Sequence, residues 1–236
     1  MRLDSYLVKE GYFESRNRAT NAIKDGLILV DGVIAKKASI KVENSKVEVK
    51  EHKFYVSRAA KKLEEYLKES PINLSNKRAL DIGSSTGGFT QILLEHGVSS
   101  VDCVDVGSKQ LHQTLRDNPK VNVFENCDIR EFKSSPYELI VSDVSFISLI
   151  KVLPYIDNLS LKESIIILLF KPQFEVGKDV KRDRNGVVID KIAIDKAKEN
   201  FLIESKKYNL KLIDSRVSKV KGKEGNEEFI YRFVKE

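Results

Sequence analysis

The run Leu80-Asp81-Ile82-Gly83-Ser84-Ser85-Thr86-Gly87-Gly88-Phe89 constrains this chain more than any other stretch of it. It closes a short apolar strand, turns through three glycines and opens an amphipathic helix, which is how a chain builds a cradle for a nucleoside cofactor. Asp143 and Lys171 each follow a later apolar strand, Leu139-Ile140-Val141-Ser142 and Ile165-Ile166-Ile167-Leu168-Leu169-Phe170. In an open α/β sheet the carboxyl ends of neighbouring strands face one crevice, so these charges are expected to converge on the cofactor.

From Arg78 onward the spacing predicts a strand, the Gly-rich turn, helix 88–95, strand 100–104, helix 109–118, strand 121–125, strand 139–142, helix 146–156, strand 164–170, helix 191–207, strand 210–217 and strand 229–234. That order reads as a Rossmann-like, doubly wound sheet whose two last strands pair as an antiparallel edge. Asp105 sits just past the second strand, where an acid can accept both ribose hydroxyls of a nucleoside, and Asp128 follows the third strand within reach of an adenine amine. A dinucleotide fingerprint needs glycine where Ser85 stands, and the Gly-Lys-Ser/Thr of a P-loop is absent. A strand-end Asp before a Ser/Thr/Gly loop suits a cofactor with an amino-acid tail and no phosphate, S-adenosylmethionine. The expected cofactor residues are Asp81, Gly83, Ser84, Ser85, Thr86, Gly87, Gly88, Asp105, Asp128 and Asp143.

The formal charge of +6 is unevenly placed. Residues 1–62 hold 14 Lys and Arg against 8 Asp and Glu, and the remainder is balanced. Such asymmetry points to a segment that meets nucleic acid or another anionic surface. Leu3, Tyr6, Leu7 and Val8 recur at helical spacing up to Gly11; Ser15 caps a second helix carrying Ala19, Ala22 and Ile23; Leu27–Val30, Asp31-Gly32 and Val33-Ile34 read as a hairpin. The expected organisation is a small basic α+β domain over 1–50, a linker over 51–56 and a second domain over 57–236. Ser57 should cap a helix reaching Glu69, with Ala59, Leu63, Tyr66 and Leu67 buried and Arg58 and Lys62 sharing a face beside them.

Other readings are narrowed by composition. No apolar run approaches the roughly 20 residues of a membrane span. The N-terminus lacks a secretory h-region, which places the protein in the cytoplasm, and Cys103 and Cys127 are expected as buried thiols. His52, His96 and His112 are scattered and support no metal site. Residues 175–188, with Lys178, Lys181, Arg182, Arg184 and two glycines, read either as a loop closing on RNA or as a solvated connector. Phe146 and Phe174 are the aromatic residues that could stack on a base, or equally belong to the core.

The first 50 residues resemble the S4 RNA-binding domain, through Arg2-Leu3-Asp4, Ser15-Arg16, Ala19, Ile23, Gly26, Val30-Asp31-Gly32 and Lys36-Lys37. The resemblance implies phosphate contacts from Arg2, Arg16, Arg18, Lys36 and Lys37, with Arg58 beyond them. The whole chain is similar to the TlyA, or hemolysin A, family, which joins an S4 domain to an FtsJ-like class I methyltransferase. The motifs, in order, are Ser57-Arg58 with Lys62-Leu63, Asp81 through Thr90, Val104-Asp105-Val106-Gly107 with Gln110-Leu111, Asp143 through Ser148, Lys171 through Gly177, and Gly225 through Phe229. Arg58-Ala59-Ala60 stands where members usually have Arg-Gly-Gly or Arg-Gly-Ala. The likeness implies 2′-O-methylation of a cytidine in ribosomal RNA through a tetrad of Lys62, Asp143, Lys171 and Glu228; the expected partner is rRNA within a ribosomal subunit, and the chain is expected to act as a monomer without a metal. Lys171 is the expected base or orienting group. Two carboxylates nearby favour its charged form, whereas a base acts as free amine, so the tetrad is read as one coupled unit. The chain starts at Met1-Arg2-Leu3-Asp4 and ends two residues after Phe233-Val234, which by the likeness implies the short type acting on large-subunit, 23S rRNA. The competing expectations are an RNA-binding assembly factor with a dead pocket, and a membrane-active hemolysin.

Overall fold

The computed structural model describes residues 1–50 and 53–236; the part of the expected linker at 51–52 lies outside them. The described residues divide into two compact units, Met1–Phe54 and Tyr55–Glu236.

In the first unit, helices α1 (Leu3–Lys9) and α2 (Arg16–Lys24) precede strands β1 (Ile28–Val30), β2 (Val33–Ile34) and β3 (Val47–Val49), in sheet order β2-β1-β3. Ser15 caps α2 by accepting from the Arg18 amide. Asp31 and Gly32 both take positive φ, which closes the hairpin with the hand that strand twist requires. Leu3, Leu7, Ala19, Ile23, Ile28 and Val42 form its core. Strand β3 was not foreseen, because three residues of Val-Glu-Val carry too short a pattern.

The second unit begins with α3 (Arg58–Glu69) and continues β4 (Arg78–Ile82), α4 (Gly88–Glu95), β5 (Ser100–Val104), α5 (Gln113–Arg116), β6 (Val121–Phe124), β7 (Tyr137–Ser142), a 3-10 turn Leu149–Lys151, α6 (Leu153–Asn158), β8 (Ser160–Phe170), α7 (Pro172–Glu175), α8 (Lys191–Lys206), β9 (Leu210–Val217) and β10 (Phe229–Lys235). The sheet order is β6-β5-β4-β7-β8-β10-β9, parallel from β6 to β8, with β10 antiparallel to both of its neighbours. Alternation along each strand feeds two cores. Leu139, Val141, Ile167 and Leu169 pack with α3 and α4, while Ile140, Ile166, Leu168 and Phe170 pack with α6 and α8. Each such side chain withdrawn from water contributes about 1.5–3 kcal/mol.

Two helix expectations need correction. The helix foreseen over 109–118 shrinks to α5, because Lys109 takes φ 55° and the preceding amides are used elsewhere: Gly107 donates to Asp105 and Gln110 to Glu125. The helix over 146–156 is replaced by a loop, the 3-10 turn and α6, since Phe146 has φ 64° and Pro154 fits only a helix's first turn. The two last strands pair antiparallel at the end of the sheet as expected, with β9 outermost and β10 between it and β8.

Candidate active site at the strand ends

The chain runs outward from β4 to β5 and β6, then returns to β7 on the other side of β4, so a crevice opens beyond Ile82 and Ser142. Gly83 takes φ +77°, and a Cβ there would lie 3.2 Å from the Val144 Cα. The two strand-end loops therefore touch, and only glycine fits between them. Gly88 opens α4 under the first turn of α3, where a Cβ would meet the Ala60 amide at 2.8 Å. This close approach lays Ser57, Arg58 and Lys62 over the loop.

Two connected depressions result. A groove of about 440 Å³ is walled by Asp105, Val106, Gly107, Gln110, Asp128, Ile129, Phe146 and Ile147. A smaller pocket of about 240 Å³ is walled by Ser57, Arg58, Lys62, Asp81, Ser84, Thr86, Phe89 and Lys171. Gly83, Ser85, Asp143 and Ser145 line both and mark their junction. Gly87 and Gly88 shape the turn into α4 without lining either space.

Asp81 is 1% exposed. Its Oδ2 accepts from the Thr90 amide and hydroxyl at 3.0 and 2.6 Å, whereas its Oδ1 is buried with no partner. Burial, with the carboxylates of Asp143 and Asp105 nearby, pushes the Asp81 carboxyl up to about 7. The Ser57 hydroxyl is likewise buried without a partner and makes no cap bond, contrary to its expected capping role. Asp105 accepts from the Ser85 and Gly107 amides at 2.8 and 2.7 Å, so it braces the Gly-rich loop. Asp128 is held by Arg130 through two side-chain contacts of 2.9 and 2.6 Å, which lower its carboxyl below the usual range.

The four tetrad candidates form two ion pairs. Lys62 Nζ lies 2.5 Å from Glu228 Oε2, with side chains 7% and 3% exposed. Lys171 Nζ lies 2.5 Å from Asp143 Oδ1 and donates to Ser145 Oγ at 2.9 Å. Lys62, Asp143 and Lys171 line the small pocket; Glu228 does not, and reaches it through Lys62. Pairing is what makes such burial tolerable, because removal of one partner leaves an isolated charge in a dry setting. Phe146 is no core residue: it is 92% exposed, with its ring 5.1 Å from that of Phe174.

The expected RNA contacts divide. Arg2 and Arg16 both bind the buried Asp4, at 3.0 and 2.8 Å, yet their side chains remain 50% and 60% exposed. Arg18 lies over the Phe54 ring at 4.5 Å. Lys36 and Lys37 are exposed beyond the hairpin, and Arg58 is exposed on the pocket wall. Sequence reasoning did not single out Ser145 or Thr90 as site residues, because their signal lies in contacts with Lys171 and Asp81 rather than in spacing.

A family model for FtsJ-like methyltransferases matches residues 55–235, and one for the S4 domain matches residues 1–48. The 23S rRNA (cytidine-2′-O)-methyltransferase TlyA of Campylobacter jejuni is 46% identical, covering all of both chains. Hemolysin A of Brachyspira hyodysenteriae is 37% identical over 99% of this chain and 100% of its own. A solved hemolysin structure from Streptococcus thermophilus superposes with TM-score 0.75 at 31% identity, covering 100% of this chain and 88% of that one.

Proposed function

The chain belongs to the TlyA family of FtsJ-like methyltransferases, and from that premise we propose that it methylates the 2′-hydroxyl of a cytidine ribose in 23S rRNA. The observation that carries this reading is the junction, where a nucleoside-sized groove meets a pocket holding two amine–carboxylate pairs.

The residues fit S-adenosylmethionine. The apolar wall of Val106, Ile129 and Ile147 suits a base, Asp105 and Asp128 supply acceptors along it, and the unpartnered oxygens of Asp81 and Ser57 suit the ammonium and carboxylate of an amino-acid tail. Bound there, the cofactor supplies a methyl group on a positively charged sulfur. The chain must hold the ribose oxygen in line and receive its proton. Lys171, as the free amine left once its ammonium has passed a proton to the paired Asp143 carboxylate, takes the ribose proton at Nζ, held by Asp143 and Ser145, while Lys62 lines the same pocket in its pair with Glu228. The exposed Phe146 offers a ring face to a base beside the junction. The first unit supplies grip on the rRNA through Lys36, Lys37 and the arginines, and the work is placed on ribosomal subunits in the cytoplasm.

The reaction is tested by primer extension at low nucleotide concentration, on both subunits from a strain lacking the enzyme and then treated with it. A new stop on 23S rRNA is expected; a stop confined to small-subunit rRNA overturns the substrate. An assembly factor with a dead pocket would give no stop and no heat with S-adenosylmethionine in calorimetry. As for a membrane-active hemolysin, no helix among the described residues is long and apolar enough to cross a membrane.

Asp81 gives the cofactor reading a pH signature. With its carboxyl near 7, against an ordinary value of 3.8, the empty site favours the protonated form, and that stabilisation is lost as pH rises through 7. A cation against Oδ1 needs the ionised form, so binding releases a proton below pH 7. Affinity for S-adenosylmethionine should fall roughly eightfold from about pH 7.5 to about pH 6. Calorimetry across that range should show the fall, and Asp81→Asn should flatten it; a flat wild-type profile would remove Asp81 from the cofactor's charged end.

A further inference from the structure

Glu175 is used by nothing in the chemistry just described. It closes α7, four residues after Lys171, and its carboxylate reaches back to the loop that follows Asp143. Its Oε2 accepts from the Ser148 hydroxyl at 2.6 Å, and its Oε1 accepts from the Leu149 amide at 2.8 Å. Burial pushes this carboxyl up, and the two donors oppose the shift. The amide it satisfies lies at the start of the 3-10 turn, where helical geometry leaves donors without partners.

Two other contacts run between the same segments: Lys171 to Asp143 and Ser145, and the Phe146 ring to Phe174. Lys171 and Phe146 both face open space, and each needs its segment held still. Phe146 also takes φ 64°, a conformation a bulky residue keeps only where the surroundings hold it. Of the three links, the Glu175 carboxylate is the one that touches neither pocket.

We propose that Glu175 is a positioning residue, a clasp that binds the Asp143–Leu149 loop to the Lys171–Glu175 segment and so sets the Lys171–Asp143 contact and the stance of Phe146. The inference rests on the proposed methyl transfer for its kinetic readout, but the clasp itself does not. Alanine removes both acceptors and frees the loop. Glutamine keeps an acceptor for the Leu149 amide, and its own NH2 can donate to the Ser148 hydroxyl, which turns to accept.

The test uses the full chain. Glu175→Ala should lower kcat at least tenfold, with KM for rRNA and the Kd for S-adenosylmethionine within twofold, and Glu175→Gln should keep at least half of wild-type kcat. The chain contains no tryptophan, so Phe146→Trp places a single fluorophore on the loop. Its anisotropy should fall when Glu175→Ala is added and hold when Glu175→Gln is added. The proposal is overturned if Glu175→Ala keeps kcat within twofold, if both substitutions lose activity in step with a fall in melting temperature, or if the anisotropy ignores both. Should the wild type methylate no rRNA, the functional reading fails and the anisotropy alone decides the clasp.

Discussion

Lys171→Ala is expected to lower rRNA methylation by about 10²–10⁴-fold, the range for loss of a positioned proton-transfer group. Affinity for S-adenosylmethionine should change by less than about threefold. The separation follows from where the amine lies: it lines the small pocket at the junction, while Asp105, Asp128 and the apolar wall sit in the larger groove. Stability complicates the measurement. The Lys171 and Asp143 side chains are 9% and 14% exposed, so alanine strands a largely buried carboxylate at a cost of about 3–5 kcal/mol. Against a total of about 5–15 kcal/mol this can unfold part of the sample. Rates therefore belong well below the melting temperature, with the double substitution Lys171→Met, Asp143→Asn as the control that removes the stranded charge. If the control regains stability without regaining turnover, the loss belongs to the chemistry; if Lys171→Ala retains a tenth of wild-type turnover, Lys171 is not the proton acceptor.

What the sequence disclosed follows from the range over which each signal acts. Helix α4 and strand β5 match their expected bounds, because Gly87-Gly88 and a compact apolar run are local marks. The order of the last two strands, which the expected antiparallel pairing left open, was also legible. Phe229-Ile230-Tyr231-Arg232-Phe233 is almost continuously apolar, as a strand buried on both faces must be, whereas β9 alternates with charges in the manner of an edge. Lys62 could not be placed by periodicity. The helix α3 stripe put it beside the core, yet it is 7% exposed because Glu228, 166 residues away, meets it there. The same distance hides the division of charge. Of the excess positive charge before residue 63, half lies on Arg58, Lys61 and Lys62 in the second unit, and Lys62 is already neutralised by Glu228. Phe146 was ambiguous for a related reason: burial of a lone aromatic in a loop depends on the backbone turn, and φ 64° turns it outward.

Removal of residues 1–54 should abolish methylation of ribosomal subunits while leaving affinity for S-adenosylmethionine within about threefold. The second unit contains both hydrophobic cores that flank the large sheet and all the residues of the groove, so its fold and pocket do not draw on the first. The first unit holds its own small core and a set of cations of two kinds. Arg2 and Arg16 share the buried Asp4, whose carboxyl they hold well below the usual range, and Arg18 is engaged with Phe54. These arginines arrive at RNA already oriented, while Lys36 and Lys37 are exposed. If four of the five meet phosphates, truncation should flatten the salt dependence of subunit binding by about 3–3.5 in log–log slope, since each contact contributes about 0.7–0.9. Affinity at physiological salt should then drop by roughly a hundredfold or more. Asp4→Asn offers a finer probe, because it loosens Arg2 and Arg16 without removing either charge: binding should weaken while the salt slope stays nearly constant. A truncated protein that still methylates whole subunits at the full rate would show that the second unit grips its rRNA unaided, through Arg58 and the lysines around the pocket.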